Sequence, residues 1–207
     1  VKKYFAAALA AAAILACAAG SGATRRARQS EVSEEEYAVY SAVLDGMFAG
    51  GKVAFDSQAE VKRLVIDDHT AQDRDRGDAA GESWAYVRQA MPSLTPEAIA
   101  DYTAKNKESS PLKRSLRPKL DYVLVERAEL DKMFAKGGGW WEEFYRRFPD
   151  SGGYASLSRV GFDAGGNRAL VYIKHSCGGL CGSGHYVLLK KEEGAWKVEK
   201  SRMVWIS

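Results

Sequence analysis

The stretch RALVYIKHSCGGLCGSGHYVLLKKEEGAWKVEKSRMVWI, residues 168–206, is made largely of β-branched, aromatic and aliphatic residues, interrupted by two glycine-bearing turns. Arg168 to His175, His185 to Glu192 and Ala195 to Ile206 carry strand composition. They are joined by a glycine-rich loop around two cysteines and by Glu193-Gly194. Upstream, Tyr154 to Phe162 reads as a further strand, linked through Asp163-Ala164-Gly165-Gly166-Asn167. The expected unit is a four-stranded antiparallel meander. In its last strand the large apolar residues sit at even positions, Trp196 and Val198, and then at odd ones, Met203 and Trp205. That change of phase predicts a β-bulge near Lys200 to Arg202, with all four side chains on one buried face.

Helical signals dominate upstream of the meander. Ser33 stands three residues before Glu36, the spacing of a capping box, and Tyr37, Tyr40, Leu44 and Met47 or Phe48 follow at helical period. A helix is expected to about Gly50-Gly51. Val61 to Asp67 and Tyr122 to Val125 read as strands. Thr95-Pro96 is an N-cap followed by proline at the first helical position, opening a helix to about Asn106. Trp140 to Phe148 places Trp141, Phe144, Tyr145 and Phe148 on one helical face, a stripe expected to pack on a sheet. Helices first and strands last predict one α+β domain over residues 33–207, with helices on one face of the sheet. The loop Asp68 to Ser83 contains Asp73-Arg74-Asp75-Arg76-Gly77-Asp78, and two arginines among its aspartates exclude a calcium loop.

At 207 residues, 46% hydrophobic and 28% charged, the chain has material for one sizeable core. Lys2 and Lys3 precede an uncharged run, Tyr4 to Ala16, of 13 residues. That is shorter than the roughly 20 a spanning helix needs, so residues 1–16 read as a signal peptide. Ile14-Leu15-Ala16-Cys17 resembles the lipobox of bacterial lipoproteins. The resemblance implies cleavage before Cys17, diacylglycerol on its sulfur and a further acyl chain, such as palmitate, on its amino group. It implies a lipid anchor in the cell envelope, and Ala18 after the cysteine implies the outer membrane, facing the periplasm. Ordinary cleavage after Ala16, Ala18 or Ala19 is the alternative and yields a soluble secreted protein. Residues 17–32 read as a flexible tether. Removing Lys2 and Lys3 leaves 28 basic against 27 acidic residues, a balance that points to no nucleic-acid partner.

Two further stretches resemble a family of secreted bacterial proteins of uncharacterised activity. One is Gly139-Trp140 through Phe148-Pro149. The other joins Leu157-Ser158-Arg159-Val160-Gly161-Phe162, Ala169-Leu170-Val171-Tyr172 and Cys181-Gly182-Ser183-Gly184-His185-Tyr186-Val187-Leu188-Leu189. The hairpin Gly194-Ala195-Trp196-Lys197-Val198 is similar to the closing strands of cystatin-like or NTF2-like cone folds, which host both enzymes and binders.

Chemistry is concentrated at His175-Ser176-Cys177-Gly178-Gly179-Leu180-Cys181-Gly182-Ser183-Gly184-His185. Cys177 and Cys181 are expected to form a disulfide, because an exported thiol pair oxidises and the glycines allow a tight ring. The alternative is a metal site built from His175, Cys177, Cys181 and His185, although the spacing is not that of a zinc finger. Ser183 lacks the Gly-x-Ser-x-Gly elbow, no phosphate-cradling loop is present, and no cofactor is called for. The expected function is a non-catalytic binding or structural module whose partner is an envelope protein or a small ligand. The rival is a small hydrolase or isomerase with a cone-shaped pocket between the sheet and the aromatic helix. Paired carboxylates, or a histidine beside a carboxylate, would favour the enzyme, and aromatic filling the binder.

Overall fold

The computed structural model describes residues 31–48, 52–53, 56–72, 84–135 and 140–207. The signal segment with Cys17, most of the tether and the Asp73–Asp78 loop lie outside them. The fold is α+β. Five helices and a seven-stranded mixed sheet are found among the described residues, with a separate two-stranded hairpin of β1 (Lys52–Val53) and β2 (Asp56–Glu60).

The first helix, α1 (Glu34–Met47), starts where its capping box requires. The Glu36 amide donates to Ser33 Oγ at 3.2 Å, and the Ser33 amide donates to Glu36 Oε2 at 2.9 Å. Val32, expected in the tether, is instead buried with Tyr37 in the main core, a hydrophobic staple across the helix start.

The sheet is larger than the four strands expected. Its order is β4 (Asp121–Val125), β3 (Arg63–Asp67), β5 (Ser151–Leu157), β7 (Arg168–Gly178), β8 (Cys181–Glu192), β9 (Ala195–Ile206), with β6 (Gly161–Phe162) paired to β7 alone. Strand β3 pairs in parallel with β4 and β5, and the remaining pairs in this sheet are antiparallel. Parallel pairing requires crossovers, and helices supply them. α2 (Trp84–Ala90) and α3 (Pro96–Lys105) link β3 to β4, while α4 (Arg127–Phe134) and α5 (Trp140–Arg147) link β4 to β5.

Helices cover both faces of the sheet, not one. Tyr40, Val43 and Leu44 of α1 pack with Leu64, Ile66, Val171, Ile173, Val187 and Leu189. On the other face, α2 and α3 bring Val87, Met91, Ala98 and Tyr102 against Leu170, Tyr172, Tyr186 and Leu188. There too α4 and α5 bring Leu130, Met133 and Phe144 against Val65 and Val125. The reason lies in the strands themselves. Residues 169–173 of β7 and 183–189 of β8 are buried without alternation, as strands covered on both sides must be.

The last strand carries two bulges. Leu188 pairs with Lys200 but Leu189 with Val198, leaving Glu199 as an extra residue; Gly184 pairs with Trp205 but His185 with Met203, leaving Val204 extra. The first bulge keeps Trp196, Val198 and Met203 in register on the α1 side, although Val198 and Met203 are 41% and 40% exposed. The second reverses the phase, so Trp205 falls on the opposite face and its indole donates to Tyr172 Oη at 2.7 Å. The expectation of four large residues on one buried face therefore fails at Trp205, which lies on the other face, and at Val198 and Met203, which are exposed. A Cβ on Gly184 would overlap the Trp205 indole and lie 2.5 Å from Tyr172 Oη, so only glycine seats that ring. Gly184→Ala is expected to destabilise the domain by about 1–3 kcal/mol, as overpacking does. A urea midpoint equal to wild type would show that the indole does not occupy this seat.

A buried ion pair fastens α1 to the sheet. Arg159 and Glu36 are 2% and 1% exposed. Arg159 Nε donates to Glu36 Oε1 at 2.7 Å and one terminal nitrogen to Oε2 at 3.0 Å, while Nη1 donates to Ser110 Oγ at 3.1 Å. Oε1 also accepts the Val160 amide at 3.2 Å. Burial alone would raise the Glu36 pKa, but hydrogen bonds from Arg159 and Ser33 and the Arg159 charge bring it below 4.5. A carboxyl depressed in this way stabilises the fold above its unfolded pKa, and that contribution fades as pH falls through the folded value. Glu36→Gln, which leaves Arg159 buried without its counter-charge, is expected to cost about 3–5 kcal/mol at neutral pH. The gap to wild type should narrow in urea melts as pH falls below 4.5. A gap that stays constant with pH would show that the pair is not the source.

Candidate functional site

The cysteine loop is a closed ring. Cys177 and Cys181 form a disulfide with Cα atoms 5.0 Å apart at the turn between β7 and β8. The Tyr145 hydroxyl, on the aromatic helix α5, donates to the Cys177 carbonyl at 2.8 Å, so the ring is tied to the helical layer. His175 and His185 do not join the sulfurs as a ligand set. His175 Nε2 donates to the Gly152 carbonyl at 2.7 Å and its ring meets Phe48 edge-on at 5.4 Å. His185 Nδ1 faces Ser201 Oγ at 3.3 Å. Burial lowers both histidine pKa values, that of His185 to about 4 with a contribution from His175. Both rings are therefore neutral near pH 7. The His185 contribution is complete above its unfolded value of 6.5 and is lost as pH falls toward about 4.

The double variant Cys177→Ser/Cys181→Ser is expected to fold, with a loss of about 2 kcal/mol or less, because so short a ring removes little unfolded-chain entropy. Amide exchange should rise in residues 176–184 and at the Tyr145 end of α5. Two alkylatable thiols in the denatured wild-type protein would contradict the bridge.

The second constellation lies on the sheet face shared by α2–α3 and α4–α5. A polar row crosses the strands there. Asp67 ends β3, and its Oδ2 accepts from Ser156 Oγ of β5 at 3.2 Å; Ser156 pairs with Lys174 of β7, and Lys174 with Gly184 of β8. Above this row opens a cleft of about 300 Å³ walled by Arg127, Asp131 and Phe134 of α4 and by Tyr154 of β5. Phe134 and Tyr154 stack at 5.3 Å, and Tyr154 also faces Trp141 at 6.2 Å. The aromatic stripe of α5 is thus filled by its own neighbours, whereas the cleft beside it is charged.

Arg127 is clamped in place. Its Nε and one terminal nitrogen reach Asp67 Oδ2 at 3.0 and 2.7 Å, and the same terminal nitrogen donates to the His69 carbonyl at 3.0 Å. Asp67 Oδ1 accepts the His69 amide at 3.0 Å. Asp68 Oδ1 accepts the Arg127 amide at 2.9 Å, supplying the cap that Glu126 does not provide, and meets His69 Nδ1 at 2.6 Å. Asp67, Asp68 and His69 hold one potential ligand atom each within 4.8 Å of one another. Their carboxylates are already engaged by these donors, so the cluster does not stand as a metal centre on its own. Burial pushes the Tyr154 phenol up; a hydrogen bond with Ser176 opposes this, and the Asp67 and Asp131 charges add to it.

None of Asp67, Arg127, Asp131, Tyr154, Ser156 or Lys174 was singled out by sequence reasoning. One signal was present: a lysine directly follows the apolar run of β7. Comparison with protein-family models, curated proteins and solved structures finds no match for the chain.

Proposed function

We propose that this chain is a lipid-anchored protein of the bacterial envelope that binds a small polar ligand in the cleft above β5 and β7 and performs no catalysis of its own. The observation that carries the binding reading is the state of Asp67. Its two oxygens accept from Arg127, Ser156 and the His69 amide, so the buried carboxylate of the cleft is committed to holding the wall together. The address rests on the Ile14–Cys17 run and on the Cys177–Cys181 disulfide, which suits an oxidising compartment.

A hydrolase is the second reading, favoured by one observation: His69, 40% exposed by side chain, sits 2.6 Å from the Asp68 carboxylate. Labelled palmitate is expected on the wild-type protein in the membrane fraction and not on Cys17→Ser. Unlabelled, soluble and normally cleaved wild-type protein would overturn the anchor. For the cleft, a library of small polar metabolites should raise the Tm of the domain, with amide shift changes mapping to β5, β7 and α4. Turnover of chromogenic esters that disappears in His69→Ala would replace binding with catalysis.

A further inference from the structure

We infer that the cleft selects a small zwitterion, an α-amino acid or dipeptide, with its anionic group on Lys174 and its cationic group on Asp131; this rests on the cleft being the binding site. Lys174 is the anomaly that starts the argument. It stands in β7, with β5 on one side and β8 on the other, half-buried directly after the buried apolar run of residues 169–173 and before His175 and Ser176. A partly desolvated ammonium in an inner strand costs stability unless an opposite charge meets it.

No such charge meets it here. Among the described residues no carboxylate forms an ion pair with Lys174, and Asp131 likewise has no cationic partner, although both line the same cleft. The two remaining charges, Arg127 and Asp67, neutralise one another at 2.7 Å. Among the described residues, what the cleft presents to a ligand is therefore one positive group on its floor and one negative group on its α4 wall. Asp131 is exposed before a ligand sits on it; an anion alone would cover that carboxylate without answering its charge, and a cation alone would leave Lys174 unanswered. A molecule carrying both charges satisfies both. Phe134, one turn beyond Asp131, stacks with Tyr154 and gives an ammonium an aromatic surface beside the carboxylate. A volume of about 300 Å³ lies at the small end for ligand sites, which fits one or two amino-acid residues.

Calorimetry on the domain with L-alanine and glycylglycine, against acetate and ethylammonium as single-charge fragments, tests the inference. At least one zwitterion should bind about tenfold or more tightly than either fragment. Lys174→Met and Asp131→Asn should each weaken that binding by a similar factor with unchanged far-UV circular dichroism. Acetate binding as tightly as the zwitterions, with amide shifts in the cleft, would overturn the zwitterion while leaving the binding reading in place. Absence of binding by all four probes also overturns it, and metabolite-library hits that map away from the cleft would remove both readings.

Discussion

The contact between Arg159 and Glu36 is the constraint on which the rest of the structure depends. Two charges withdrawn this far from water are tolerable only if nearly every donor and acceptor has a partner, and here the partners come from several parts of the chain. Ser33 supplies the helix start, Ser110 the connection before β4, and the Val160 amide the link between β5 and β6. Asn106, at the end of α3, closes the ring by bonding both the amide and the carbonyl of Arg159. One residue, through its guanidinium and its main chain, therefore holds together the helix on one face, the sheet between, and a helix on the other face.

Charge is handled in opposite ways at two places in the molecule. Around Glu36 and Arg159 it is saturated and sealed. Along the row Asp67, Ser156, Lys174 it is saturated at one end and open at the other. Close packing elsewhere leaves little freedom. Gly161 lies so near the Ala98 carbonyl and the backbone of Tyr102 that a Cβ would collide with α3, and Gly153 faces the Ser176 carbonyl in a left-handed conformation with φ of 102°. The polar row is the part of this sheet face where side chains reach an opening and not another layer.

Local rules were legible in the sequence wherever a residue acts through its immediate neighbours. The Ser33–Glu36 cap, the Thr95-Pro96 start and the aromatic face of α5 follow from spacing alone, and the structure places each as expected. Glu36 shows where such reading stops. Its role in the capping box was visible, but its salt bridge spans 123 positions and no periodicity encodes it. The parallel pairing of β3 was missed for a related reason. Short strands alternating with helical segments are the signature of crossover units, yet α2 and α4 are short, and the cap of α4 comes from distant Asp68 and not from its own Glu126. The cleft was invisible because its walls come from β3, α4, β5 and β7, and only the fold brings them together. The bulge at Glu199 was readable from the change of phase, whereas the one at Val204 returned Trp205 to the other face and left no trace in the pattern.

The position of β3 also bears on the order of events as the protein forms. A strand from residues 63–67 sits between one that begins at Asp121 and another that begins at Ser151, and α1 waits on a guanidinium later still. The N-terminal half thus has little to fold onto until the C-terminal half exists. Loop closures over such distances cost entropy before any contact returns it, so assembly is late and slow compared with that of a local helical bundle. A nascent chain of this design lacks the partners of its early strands while it grows, and an unfolded chain is the form that a translocation channel admits. On the proposed address, the topology that delays folding is the one that keeps the chain fit for export.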